Sequence, residues 1–183
     1  MNIYYVRHGQ TDWNKVRRLQ GRTDNPLNKV GIEQAKKTRD LLKNEKIDLI
    51  ICSPLRRTLE TANIINEGRN IKIIKDEGFI ERSFGKYEGE FSAETPYNDL
   101  WDYKKDIDLG ENGEKMSELL ARAKNSLERV INTYYPKNIL IVAHGGLGRA
   151  VKCYFNGLPK DTTCLSNLEP NNCEVLKYEI RRG

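Results

Sequence analysis

The chain has 183 residues, a formal net charge of +5 and 38% hydrophobic residues, with a mean hydropathy of −0.71. That length suits one domain with a sizeable core. No run approaches the ~18 apolar residues of a membrane helix, and none resembles a signal segment, so the cytoplasm is the expected compartment.

Met1 leads almost directly into a first predicted strand, Asn2–Val6. An amphipathic helix follows over Gly31–Leu42, with Ile32, Ala35 and Leu42 on its apolar face. Asp48–Cys52 reads as a second strand, and Pro54 is placed to start the next helix, where its missing N–H costs nothing. Leu55, Leu59, Ala62 and Ile65 give that helix its apolar face. Ile71–Ile74 reads as a short third strand. The acidic stretch from Lys75 to Gly113 has little periodicity and reads as loops, with a lid-like irregular segment at about 88–113. Spacings of three and four from Met116 to Tyr134 mark the strongest helix, and Pro136 follows its end. Asn138–Ala143 is a strand, Leu147–Phe155 a short helix and Glu174–Ile180 the last strand. This alternation predicts one domain over residues 1–183, a three-layer α/β/α fold around a mostly parallel sheet.

The basic surplus is uneven. Residues 1–50 carry eleven Lys/Arg against six Asp/Glu, whereas residues 75–118 carry thirteen acids against six bases. A nucleic-acid binder would show a continuous basic face with interleaved aromatics. The surplus therefore points to a small anionic ligand, and no nucleic-acid or membrane partner is expected. Cys52, Cys153, Cys164 and Cys173 form no CxxC pair or zinc-like spacing, and no disulfide framework is expected.

Both histidines of the chain close an apolar run and precede a glycine: Arg7-His8-Gly9 and His144-Gly145-Gly146. In an open α/β sheet, ligands bind beyond the carboxyl ends of the strands, so both imidazoles should reach one rim. Near them, Asn14, Gln20 and Gly21 are short polar or glycine residues able to hydrogen-bond an oxyanion. In Ser53-Pro54-Leu55-Arg56-Arg57, arginine falls at the positive end of a helix dipole, which makes sense if an anion neutralises both. Arg57 lies nearer the site, while Arg56 reads as a surface partner of Glu60. The Gly145 and Gly146 amides at a helix start form an anion nest. Arg7 and Arg57 would repel a metal cation, so neither metal nor cofactor is expected, and the ligand should be a dianion.

These blocks resemble the histidine phosphatase superfamily, which includes the cofactor-dependent phosphoglycerate mutases. The similarity runs through Val6-Arg7-His8-Gly9-Gln10-Thr11, Trp13-Asn14, Gln20-Gly21, Ser53 to Ala62, Glu81 with Phe84-Gly85, Glu88-Gly89, and Ala143-His144-Gly145. It implies a phosphoglycerate mutase-like fold and a phosphohistidine on His8. Arg7, Arg57 and His144 would hold the phosphoryl oxygens, helped by Asn14 and the Gly145 amide. Glu81 would be the proton donor, which asks for surroundings that favour its neutral form.

Mutases of this family carry basic residues in an insertion after the Glu81 block. Here Glu90–Gly113 is short and acidic, with only Lys104 and Lys105, and the chain ends soon after Ile180. Hydrolysis of a small phosphorylated metabolite is therefore favoured over mutase activity. An α-ribazole-phosphate phosphatase fits the same residues, and a phosphate-ligand sensor without turnover is the non-enzymatic alternative. The substrate's alcohol and the oligomeric state stay open. Tyr97, Trp101 and Tyr103 are read as a small lid core rather than a stacking surface.

Overall fold

The computed structural model describes residues 1–181, so the last two positions of the predicted domain lie outside the described residues. Five strands form one sheet in the order β3-β2-β4-β1-β5. They are β1 (Asn2–Arg7), β2 (Leu49–Cys52), β3 (Ile73–Lys75), β4 (Ile139–Ala143) and β5 (Val175–Glu179). The first four run parallel to their neighbours, and β5 pairs antiparallel with β1.

Residues alternate between the faces of the sheet, as the strand period of two requires. Ile3, Tyr5, Ile51, Ile139 and Ile141 pack into one core together with residues of α5 (Met116–Tyr134) and α6 (Gly145–Asn156). Tyr4, Val6, Ile50, Leu140 and Val142 pack into a second core with residues of α2 (Lys29–Leu42) and α3 (Arg56–Asn66). The three-layer α/β/α reading is therefore correct. β4 is buried along its whole length, which explains why it reads as an unbroken apolar run rather than an alternating one.

Several boundaries differ from the predicted ones. α3 begins at Arg56, two residues after Pro54, because Leu55 is still extended (φ −70°, ψ 144°). Its first N–H is capped from elsewhere, donating to Asp24 Oδ1 at 2.6 Å. α6 begins at Gly145 rather than Leu147, with His144 extended at the capping position. β3 starts two residues later than predicted. The segment after Glu88 is also less irregular than expected. It holds one 3₁₀ turn (Ser92–Glu94) and a one-turn helix, α4 (Tyr97–Leu100). Isolated bridges tie it down at Arg18–Phe91 and Asp102–Cys164.

Within that segment Trp101 is 2% exposed. It packs edge-on against Phe84 and Tyr97 and lies under the Arg149 guanidinium at 3.7 Å. Trp101 is thus a core residue, as read. All four cysteines are free, and burial pushes the Cys52 thiol up to about 12. No helix among the described residues is long and apolar enough to cross a membrane.

Candidate active site

The site follows from strand register. β1 and β4 are adjacent parallel strands whose last residues, Arg7 and Ala143, are direct partners. Each strand then turns into a His-Gly corner on the same rim, which sets the two imidazole centroids 5.3 Å apart. The first corner is close-packed: the His8 N–H donates to Ala143 O, and the Gly9 N–H to Thr61 Oγ1 on α3. A Cβ on Gly9 would collide with the Gly31 carbonyl, so only glycine lets α2 approach this turn. The second corner is pinned by the buried Tyr5 hydroxyl, which donates to His144 O at 2.6 Å and accepts from His144 N at 3.1 Å.

The tautomer of His8 follows from its partners. Nδ1 lies 2.7 Å from the Gly9 carbonyl, which can only accept, so Nδ1 carries the proton. Nε2 lies 3.2 Å from the Arg57 Nε–H, which can only donate, so Nε2 bears the lone pair. Burial, reinforced by Arg57 and Arg7, holds the imidazole well below the ordinary histidine pKa. The result is a neutral imidazole with an available lone pair at a cationic rim. His144 is held low by burial, Arg57 and His8 in turn.

Arg57 is 1% exposed. Besides the bond to His8, it donates to Thr23 O at 2.8 Å and Gly21 O at 2.7 Å. Three of its five donors are thereby occupied and two remain. Arg56 points outward and pairs with Glu60, which also accepts from the Leu27 N–H. Thr61 supports the site, donating to Arg57 O as well as accepting from Gly9.

Asn14 spends its amide oxygen locally, accepting from Thr11 N–H and Oγ1–H in a capping box at α1 (Asp12–Lys15). That leaves its NH₂ for a ligand. The Gln20 amide oxygen accepts from Asn25 Nδ2 and shares the one Thr11 hydroxyl proton with Asn14. Arg7 Nη1 donates to Pro170 O at 2.8 Å and pairs with Glu169 Oε1 at 3.0 Å.

Arg7, His8, Asn14, Gln20, Gly21, Arg57 and Glu81 all line one cavity of about 60 Å³. That is the scale of a phosphoryl group. It opens beside a vestibule of about 880 Å³, which Arg7, Asn14 and Glu169 also line. Tyr97 lines both spaces. His144 sits behind His8, and Gly145 packs against Arg7 and Glu169, so the structure brings every predicted site residue together.

The anion nest at α6 exists, but its occupant corrects the predicted picture. Gly146 N–H donates to Glu81 Oε2 and Leu147 N–H to Oε1, both at 2.9 Å, and Arg82 N–H adds a third bond at 2.8 Å. Glu81 thus fills most of the nest, and Gly145 N–H is the amide it leaves. A Cβ on Gly146 would meet Glu81 Oε1 at 2.6 Å, and one on Gly145 would collide with Glu169 Oε1. Any side chain here would push the two carboxylates out of place.

Sequence reasoning missed four contributors. Ser53 Oγ lies 2.7 Å from His144 Nε2. Glu169 bridges Arg7 and the buried Arg149. Asn172 Nδ2 donates to His8 O at 2.9 Å. Arg18 lines both cavities. Glu169 and Asn172 precede β5, whose antiparallel direction delivers its start to the rim where the parallel strands end. A polar run just before a final edge strand was the available signal. No group of three or more His, Cys, Asp or Glu among the described residues is placed to hold a metal.

A fold of this topology, carrying paired imidazoles and arginines at one rim, defines an α/β protein with a phosphate-sized pocket. The model of the histidine phosphatase superfamily (branch 1) matches residues 3–183, and the chain belongs to that superfamily. It is 37% identical over 178 residues to the uncharacterized phosphatase PhoE of Bacillus subtilis (strain 168), covering 91% of this chain and 87% of that one. It is 29% identical to phosphoserine phosphatase 1 of Hydrogenobacter thermophilus, covering 98% and 85%. Among solved structures, a histidine-to-alanine mutant of phosphoserine phosphatase from Entamoeba histolytica, in complex with phosphoserine, superposes with a TM-score of 0.85. Identity there is 25%, covering 100% of this chain and 92% of that one. The relatives of the chain are phosphatases and phosphoglycerate mutase-like proteins.

Proposed function

We propose that the chain is a phosphomonoester hydrolase that works without a metal, through a phosphohistidine on His8, on a small phosphorylated metabolite. One observation carries this reading. Three buried side-chain nitrogens among the described residues have no hydrogen-bond partner: Arg7 Nε, His144 Nδ1 and Trp101 Nε1. Buried donors are normally satisfied. Arg7 and Trp101 line the small cavity together with His8, and the His144 ring lies 5.3 Å from that of His8, centroid to centroid. A phosphoryl group, with three oxygens to share, is the acceptor that would satisfy them.

In the first half-reaction His8 Nε2 attacks phosphorus and the ester P–O bond breaks. Arg57 gives up its bond to Nε2 and turns its donors to the phosphoryl oxygens. Arg7 Nε, His144 Nδ1, Asn14 Nδ2 and Gly145 N–H supply the others, so the charge on those oxygens is met by preplaced dipoles. Glu81 gives its proton to the departing alkoxide. In the second half-reaction the Glu81 carboxylate takes a proton from water, which attacks the phosphohistidine and releases inorganic phosphate. The guanidinium groups supply the positive charge that a metal would otherwise bring.

Hydrolysis is favoured over mutase chemistry because segment 90–113 is rich in Asp and Glu and carries only Lys104 and Lys105, with Glu94 on the vestibule wall. A lid of that sign disfavours the bisphosphate that a mutase must retain. The small-molecule class agrees with the phosphoserine bound to the Entamoeba relative.

Turnover of an aryl phosphate in the presence of a chelator, together with acid-labile labelled phosphate trapped on the protein after rapid quench, is the expected result. His8→Ala should lose both. Turnover that survives that substitution, or that disappears with chelation, would overturn the proposal.

A further inference from the structure

We infer that Arg18 is a specificity-determining residue, selecting esters whose alcohol carries a carboxylate; this rests on the hydrolase reading above. Arg18 is the only arginine lining both the small cavity and the vestibule that makes no side-chain hydrogen bond or ion pair among the described residues. Arg7 and Arg149 share Glu169, and Arg57 is held by two carbonyls and His8.

Arg18 is nevertheless well placed. Its guanidinium lies 4.4 Å from the centre of the Phe91 ring and 5.9 Å from that of Trp13. Its backbone N–H donates to Trp13 O, and its strand-like bridge to Phe91 ties it to the lid segment. Cation–π contacts order the group without using its N–H donors. A preordered planar fork with its donors free is suited to a carboxylate, which it can meet bidentately.

The location fixes which part of the substrate is read. A residue shared by both cavities flanks the point where the ester oxygen leaves the phosphoryl pocket and the alcohol enters the vestibule. Glu94 lies on the same vestibule wall, and Glu169 is already balanced by two arginines. Of the two vestibule arginines without a side-chain partner among the described residues, Arg17 and Arg18, only Arg18 also lines the small cavity, so one fork meets an anion held close to the ester oxygen, which suits a carboxylate.

The test compares esters that differ only at the carboxylate. Values of kcat/KM are measured for 2-phosphoglycolate and 3-phosphooxypropionate, each against the alkyl phosphate of equal length, with propane-1,3-diol bisphosphate as the dianionic arm. The wild type should prefer the carboxylate esters about tenfold to a hundredfold, the range of a hydrogen-bonded charge. Arg18→Met keeps the stem against the rings and should erase the preference, and Arg18→Lys should restore part of it. No preference in the wild type, an equal fall for all esters in Arg18→Met, or a preferred bisphosphate would each overturn the inference. Dissociation constants of the same esters with His8→Ala read the preference without turnover. Arg18-dependent selective binding by a chain that hydrolyses nothing would retain this inference and reject the hydrolase reading. A thermal melt of Arg18→Met separates lost recognition from lost folding.

Discussion

His144 Nε2 lies 2.7 Å from Ser53 Oγ, across the gap between β4 and the end of β2, with both residues wholly buried. The hydroxyl also receives the Leu55 N–H at 3.4 Å. We assign the Ser53 hydroxyl as the donor to Nε2, which makes Nδ1 the N–H of the ring. That nitrogen is the one left without a protein partner. Ser53 thereby sets which face of His144 can donate to a phosphoryl oxygen. Ser53→Ala should lower kcat/KM about tenfold, the scale of one buried hydrogen bond. Ser53→Thr, which keeps the hydroxyl, should recover much of it. An alanine variant with unchanged kinetics would remove Ser53 from this role.

Stability should depend on pH through the same two imidazoles. Both are held neutral in the fold, His8 and His144 alike well below the ordinary value. Once unfolded, each binds a proton near pH 6.5. Below that pH the unfolded chain binds more protons than the folded one, so unfolding becomes easier as the pH falls. Above it the two states bind protons alike, and this contribution is flat. Urea midpoints measured from pH 8 to 5 should be level at first and then decline below about 6.5. His144→Asn should flatten part of that decline. The neutral His8 lone pair should also persist into mild acid, so kcat/KM should show no histidine titration near 6.5. A single ionisation there, abolished in His144→Asn without loss of turnover, would contradict the assignment.

The strands and their order of use were legible because β1 and β4 are apolar runs cut off by charge and glycine. The rule that ligands bind beyond parallel strand ends then placed both histidines together. Arg57 was legible from its cost, a cation at the positive end of a helix. Other features depend on partners far away in the chain. Asp24 caps α3 from another loop, so local reading started that helix at Pro54. Glu81 occupies the amides of α6 across 65 residues, and no local pattern shows that a nest is already filled. Ser53 stood in a quoted motif, yet its role needs the neighbouring strand. Glu169 has no motif, and only the reversed direction of β5 brings it in.

Glu169 sits between Arg7 and Arg149, 3.0 Å and 2.8 Å from their guanidinium nitrogens. Burial works against its charge, but the two arginines outweigh that and leave its carboxyl below the usual range. Removing one partner of a buried pair costs about 3–5 kcal/mol. Here the carboxylate is 31% exposed, and solvent screening reduces the expected cost to about 1–2 kcal/mol. Glu169→Gln should therefore lower stability by that amount in urea and reduce kcat/KM about tenfold by loosening Arg7. Pairing it with Arg149→Met should cost less than the two single losses together, since the second change removes the stranded cation. Strict additivity would show that the bridge does not couple these residues.

Glu81 is expected to act twice, and the two steps can be separated by the choice of leaving group. A nitrophenolate departs readily without a proton, whereas an alkoxide does not. Glu81→Gln keeps an oxygen that can accept two of the three backbone N–H bonds that now hold the side chain but cannot transfer a proton. With an alkyl phosphate the first step should fail, and turnover should drop by about 10²–10⁴, the range for loss of general acid–base catalysis. With a nitrophenyl phosphate the first step should survive while attack by water slows. The variant should then give a burst of nitrophenol close to one per chain, followed by a slow steady state, with phosphate accumulating on His8. Hydroxylamine or another strong nucleophile, which needs less help from a base, should speed the slow phase. Equal losses for both esters without a burst would place Glu81 outside proton transfer and leave it as the group that holds the start of α6.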